Sequence, residues 1–261
     1  MLDHTVGQCY PECMYINGIL NVNVLVRSIE DVRHFYTEAL GLPLANESAG
    51  ILSFYYGQTS FNVLQASDAD RSLIGRRTGI GLRTQRDSDI IPIPKRLHKQ
   101  SNTSVSIQAG SWANGSRATV TDPCQNELTI WGCRGEEYDD YPHLFEGSAT
   151  VAIQTSDLRR SLAFYYGLLQ LPMMEQTHPG YAMFFHQGTR LIVTEKDAWD
   201  VTEAAQGETG ICFDVNDLDS LVQNLNHNGV ALNESVQGTD QVRGASVHDP
   251  DGNQIAFLSK N

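Results

Sequence analysis

The chain has 261 residues and a mass of 28.9 kDa, enough for one large domain or two small ones. Hydrophobic residues are 41% and charged residues 19%, a globular balance that argues against wholesale disorder, and no apolar run reaches the roughly 18 residues of a membrane span. Lys and Arg total 18 against 31 Asp and Glu; the net charge of −13 disfavours nucleic acid and anionic membranes, which need clustered cations.

The first residues, Met1 to Gly7, carry neither a basic region nor an apolar one, so no signal peptide is expected and the protein reads as cytoplasmic. Five cysteines (Cys9, Cys13, Cys124, Cys133 and Cys212) without a C-x-x-C spacing suggest reduced thiols, not a disulfide framework or a zinc ribbon. Residues 1–17 form an extension. A strand then alternates through Leu20–Val26. A helix follows, capped by Ser28 with Asp31 three residues on, and places Val32, Phe35, Tyr36, Ala39 and Leu40 on one face before Gly41 ends it. Three short strands are predicted near 43–48, 50–56 and 60–65, so the unit is βαβββ over 18–66. A second unit spans 77–132. Its helix slot, 87–100, holds Pro92 and Pro94, which predicts a short or irregular helix. The acidic stretch 133–147 reads as a linker.

The order then repeats over 148–196 and 208–261. FYTEALGLPL (35–44) returns as FYYGLLQLPM (164–173) at an offset of 129, and GILSFYYGQTSFNV (50–63) returns as GYAMFFHQGTRLIV (180–193) at 130. TGIGLRTQRDSDI (78–90) returns as TGICFDVNDLDSL (209–221). The turn Asp122-Pro123-Cys124-Gln125-Asn126 returns as Asp249-Pro250-Asp251-Gly252-Asn253.

These blocks, with the turn DPDGNQIAFL (249–258), resemble the vicinal oxygen chelate superfamily of glyoxalases, bleomycin resistance proteins and extradiol dioxygenases. The resemblance covers about residues 18–260 and implies an α+β fold: four tandem βαβββ modules pairing into two cup-shaped mixed sheets with helices outside. Pairing is expected between consecutive modules, giving one domain at 18–132 and another at 148–261. The family binds a divalent metal through inward His, Gln or Glu residues on the first and last strands of each unit. The positions that match are Asn21, Asn62, Gly79 and Thr129, then Thr150, Ile192, Gly210 and Ala256, none of them His, Asp, Glu or Cys. The expectation is therefore no metal and no cofactor.

Strand alternation turns Asn21, Asn23, Asn62, Arg83, Thr129 and Trp131 into the first cup as candidate substrate contacts. Gln154, Tyr181 and Ser246 turn into the second, alongside Cys212 and Asp214. His248 shares a strand face with Ser246, and His248, Asp214 and Glu175 are the candidate acid–base residues. Two functions follow from this pattern. One is a metal-independent lyase, isomerase or cyclase acting on a small oxygenated or aromatic molecule. The other is a binding protein that sequesters such a molecule, with Trp131, Tyr55 and Arg83 as candidate contacts. A metal enzyme with displaced ligands at His248, Asp214 or Glu175 is a third reading. The expected partners are a small molecule and, through the sheet edges, a second copy of the chain.

Overall fold

The computed structural model describes residues 15–56, 59–84, 93–97, 103–112, 115–132, 145–174, 179–185, 189–196, 198, 204–233, 236–239 and 241–260. The first module comprises β1 (Ile16–Val26), α1 (Ile29–His34), β2 (Leu44–Ser48), β3 (Ile51–Tyr56) and β4 (Thr59–Gln65). Ser28 caps α1, its hydroxyl accepting the Asp31 N–H at 3.4 Å. The helix continues as a π turn, Phe35–Ala39. Within that wider turn the successive rings of Phe35 and Tyr36 are both fully buried and meet edge to face at 4.9 Å. Gly41 ends the helix with φ +76°, where the glycine lacks the Cβ that opposes this conformation.

The second module has β5 (Arg77–Thr84), the short α2 (Ile93–Leu97) that Pro92 and Pro94 predict, β6 (Ser104–Trp112), β7 (Gly115–Thr121) and β8 (Glu127–Trp131). The third has β9 (Phe145–Thr155), α3 (Leu158–Leu162) with its own π turn, β10 (Tyr181–Phe184) and β11 (Arg190–Glu195). Here the described residues of the first post-helix strand pair through a bridge between Met173 and Phe184. β9 begins at Phe145, inside the stretch read as linker. The fourth module has β12 (Glu208–Val215), α4 (Leu218–His227), β13 (Gln237–Gly238), β14 (Val242–His248) and β15 (Gln254–Lys260).

The expected pairing of consecutive modules is corrected by the strand order. One sheet runs β13-β14-β15-β12-β1-β4-β3-β2 and joins the fourth module to the first. The other runs β10-β11-β9-β5-β8-β7-β6 and joins the third to the second. β1 lies antiparallel to β12, and β5 antiparallel to β9. Tandem order does not set this choice, because all four first strands offer the same alternating edge.

Modules within a half meet instead through a buried polar corner. The Tyr36 hydroxyl donates to Asp122 at 2.9 Å; the Asn126 amide donates to the same carboxylate and to the Leu25 carbonyl; and the Cys124 and Asn126 N–H groups complete the ring. Tyr165, Asp249, Asn253 and the Gln154 carbonyl repeat it, again with 2.9 Å from hydroxyl to carboxylate. Burial, then the Asp122 charge, push the Tyr36 hydroxyl well above its ordinary range, so it stays a donor. Burial raises Asp122 as well, against the hydrogen bonds from Asn126 and Tyr36 that favour its charge. The corners thus tie each half together, while the sheets tie the halves to each other.

Candidate functional site

In both sheets one face packs on the helices and the other does not. In β1, Val22, Val24 and Val26 are buried on the helix side, and Asn21, Asn23 and Leu25 point the other way, half-buried. Register carries this alternation across the eight-stranded sheet as rows. Asn23 pairs with Asn62, Asn62 with Ser53 and Ser53 with Asn46. The next row runs Tyr55, Ser60, Asn21, Cys212, Ala256, Ser246. On the other side of the asparagines lie Leu25, Leu64 and Ile51.

The Asn62 amide donates to the Asn23 side-chain oxygen at 3.0 Å, which fixes both amides and leaves the Asn23 N–H groups and the Asn62 oxygen for a ligand. Cys212 sits at the floor of its row, 3% exposed. Burial, then the Asp214 charge, push its thiol up to about 12, with Lys260 acting in the opposite direction; at neutral pH it is a protonated thiol and a poor nucleophile. Tyr55, a contact expected for the binding reading, belongs to this face, as do Asn46, Ser53 and Ser60, which the sequence did not single out. The parity of strands 51–56 and 59–65 carries them, once those strands are known to adjoin β1.

Among the described residues, the seven-stranded sheet carries an apolar cluster where the first carries amides. Ala152, Ile192 and Ala204 are buried together with Met183 and Trp131 packed on them. The segment before the fourth module enters here: Ala205 N–H donates to the Ala152 carbonyl at 2.8 Å, and Gln154 N–H donates to the Ala205 carbonyl at 3.0 Å. A Cβ on Gly81 would collide with Thr150 Oγ1 and lie 2.6 Å from Trp131 Nε1, so the glycine is what lets the indole lie across β5. The guanidinium of Arg117, 3% exposed, stands 5.7 Å from the Trp131 ring centre.

The sequence-derived site residues therefore divide by sheet and not by half. Asn21, Asn23, Asn62, Asp214, Ser246 and His248 share the eight-stranded sheet; Arg83, Thr129, Trp131, Gln154 and Tyr181 share the seven-stranded one. Glu175 lies outside the described residues. His248 and Asp214 do not meet. Asp214 aligns with Gly244 through Leu258, so His248 stands two strands away and four residues further along β14, about 13 Å along the strand. His248 is exposed opposite Gln254, and Asp214 accepts the Asn17 amide at 2.9 Å. Ser246 accepts from Asn233 at 3.3 Å.

A family model described as the Glyoxalase/Bleomycin resistance protein/Dioxygenase superfamily matches residues 18–130 and 147–257. The chain belongs to this superfamily. Glyoxalase I from Zea mays is similar in structure, with 17% identity, a TM-score of 0.66 and coverage of 92% of each chain. A candidate dioxygenase from Bacillus subtilis has 13% identity and a TM-score of 0.61, with 94% of this chain and 86% of that one covered. At these identities the likeness shows the fold. No curated protein matches the chain by sequence.

The superfamily's metal positions do not fit a divalent centre in this chain. In the eight-stranded sheet they are Asn21, Asn62, Gly210 and Ala256; in the other they are Gly79, Thr129, Thr150 and Ile192. Two amides and two hydroxyls are their only side-chain donors, without imidazole or carboxylate. Gly79 and Gly210 stand at φ +67° and +69°, where an added Cβ would strike the Ala152 and Asn23 carbonyls, so neither position admits a ligating side chain. Among the described residues, no three His, Cys, Asp or Glu side chains gather as a metal site, and no helix is long and apolar enough to cross a membrane.

Proposed function

We propose that this chain binds a small oxygenated molecule on the open face of the eight-stranded sheet through neutral hydrogen-bond donors and acceptors, without the superfamily's metal. The observation that carries the reading is the bonded Asn23–Asn62 pair, flanked by Asn21, Ser53 and Ser60 on one solvent-reachable face. A preset amide pair presents fixed donors and an acceptor at little entropic cost, which favours recognition of hydroxyl and carbonyl groups. Binding is favoured over turnover because the acid–base pair proposed for catalysis, His248 with Asp214, is spread across the sheet, and the thiol nearest the amides is held protonated. The protein would then sequester its ligand, with polarisation of a bound carbonyl by Asn21 and Asn23 as the most the face offers chemically.

The test couples two measurements on the same preparation. Elemental analysis of protein purified without chelator or affinity tag is expected to find under about 0.1 divalent metal per chain, and a stoichiometric metal would overturn the metal-free reading. Thermal-shift screening of small oxygenated compounds is expected to give hits that Asn62→Leu weakens and Gln154→Leu, on the other sheet, leaves in place.

A further inference from the structure

The open face is not uniformly polar, and its pattern restricts the ligand further. Leu25, Leu64 and Ile51 form an apolar row across β1, β4 and β3, with Ile51 36% exposed. Two residues along the same strands, Asn23, Asn62 and Ser53 form a polar row. Two residues further, Asn21 and Ser60 lead to Tyr55, a ring 64% exposed at the margin. Side chains two residues apart stand about 7 Å from each other along a strand, and three strands span about 10 Å. Those are the dimensions of a molecule of two or three fused or linked rings lying flat. None of the residues in these three rows carries a charge, and the chain as a whole is at −13. An anion laid here would lose its hydration with no cation beneath it, and a cation would meet only neutral amides.

We infer, resting on the reading above, that the ligand is an uncharged, flat, amphipathic molecule: its apolar edge lies on Leu25, Leu64 and Ile51, and its hydroxyl- or carbonyl-bearing edge lies on Asn23, Asn62 and Ser53. The Asn62 oxygen accepts a ligand hydroxyl, and the Asn23 amide donates to a ligand carbonyl. A ligand with both groups on neighbouring carbons satisfies the pair at once. A purely polar molecule such as a free sugar would leave the leucine row wet, and a pure hydrocarbon would leave both amides unpaired.

The experiment is titration calorimetry of the full chain with 3-hydroxyflavone, which carries a hydroxyl beside a ketone, with flavone, which lacks the hydroxyl, and with maltose. The variants are Asn62→Leu, Leu64→Asn and Ser60→Arg, each checked by thermal melting. The expected result is that 3-hydroxyflavone binds at least tenfold tighter than flavone. Asn62→Leu erases that preference while flavone still binds; Leu64→Asn weakens both flavones at least fivefold; Ser60→Arg blocks both. Equal binding of the two flavones, or binding of maltose alone, with Ser60→Arg blocking in either case, overturns the inferred class and leaves the site standing. Failure of every probe, or binding that ignores Ser60→Arg, overturns the site and the inference together. A dimer that Ser60→Arg dissociates, with no probe bound, makes a second copy of the chain the occupant and likewise overturns both.

Discussion

The two sheets share one strand plan and hold opposite contents. Asn21, Asn23 and Asn62 of the first module correspond in the repeat to Thr150, Ala152 and Ile192 of the third. In the eight-stranded sheet those positions form half-buried amide rows; in the seven-stranded sheet Ala152 and Ile192 are buried with Ala204 under Met183 and Trp131. A duplicated scaffold thus keeps its core face, which both copies need in order to fold, and varies its other face freely. The difference lies in the side chains of this face, Met183 standing where the first module has Ser53, and in the segment at Ala204 and Ala205.

The backbone common to both sheets is tested most severely at Gly79 and Gly210. Each has a left-handed φ and each would drive an added Cβ into a neighbouring carbonyl, that of Ala152 or Asn23. Gly79→Ala and Gly210→Ala are expected to lose about 3 kcal/mol or more each, and by similar amounts, in denaturant unfolding. A loss in only one would show that the sheets are less alike than their registers. Exchanging contents is expected to act unequally. Ile192→Asn buries an amide in an apolar cluster and should cost about 2–4 kcal/mol. Asn62→Ile, on the half-buried face, should change stability by under about 1 kcal/mol while weakening ligand hits. Equal costs in the two directions would mean that both faces are packed cores.

Much of this plan is legible in the chain, for definite reasons. The offset of 129 to 131 exposes the modules, and Val22, Val24 and Val26 against Asn21 and Asn23 expose which face is which. The Tyr36 and Tyr165 positions announce the core. The partner of β1 is not legible: its alternation suits β5 and β12 equally, and only the completed fold selects β12. The proposed His248–Asp214 pair fails for a related reason. A shared face on neighbouring strands limits orientation but leaves distance along the strand free, and that distance separates them. Ser53 and Ser60 go unnoticed because single hydroxyls on short strands look like ordinary surface.

The polar corners offer a smaller contrast. Asp251 of the second half bonds the Ser156 hydroxyl at 2.5 Å, the Thr155 hydroxyl at 2.6 Å and Arg160 at 2.8 Å. The first half has Cys124 at this place, whose sulfur accepts the Arg27 N–H at 3.3 Å. Burial alone would raise the Asp251 carboxyl, but the Ser156 and Thr155 hydroxyls and the Arg160 charge hold it below its ordinary range. A carboxylate with a lowered folded pKa adds stability above its unfolded pKa, and that support drains as pH falls through the folded value. Asp251→Asn should therefore cost about 1 kcal/mol at neutral pH and flatten the loss of stability below about pH 4. A variant as acid-sensitive as the parent would place the sensitivity elsewhere.

The smallest expected effect lies at the ends of the two first helices. Gly41 at φ +76° and Gln170 at φ +57° occupy the same left-handed position, flanked by the same bonds: Leu40 to Phe35 and Leu42 to Tyr36 in one half, Leu169 to Phe164 and Leu171 to Tyr165 in the other. A glutamine there bears the Cβ cost that the glycine avoids. Gln170→Gly relieves that cost but loosens the unfolded chain and gives up the interactions of the glutamine, so the net change should stay within about 0.5 kcal/mol, near 2 °C in melting temperature. Gly41→Gln should lose about 1 kcal/mol, since it adds the cost to a corner built without it. If Gln170→Gly destabilises as much as Gly41→Gln, the interactions of Gln170 outweigh its backbone cost, and the two helix ends are alike in backbone only.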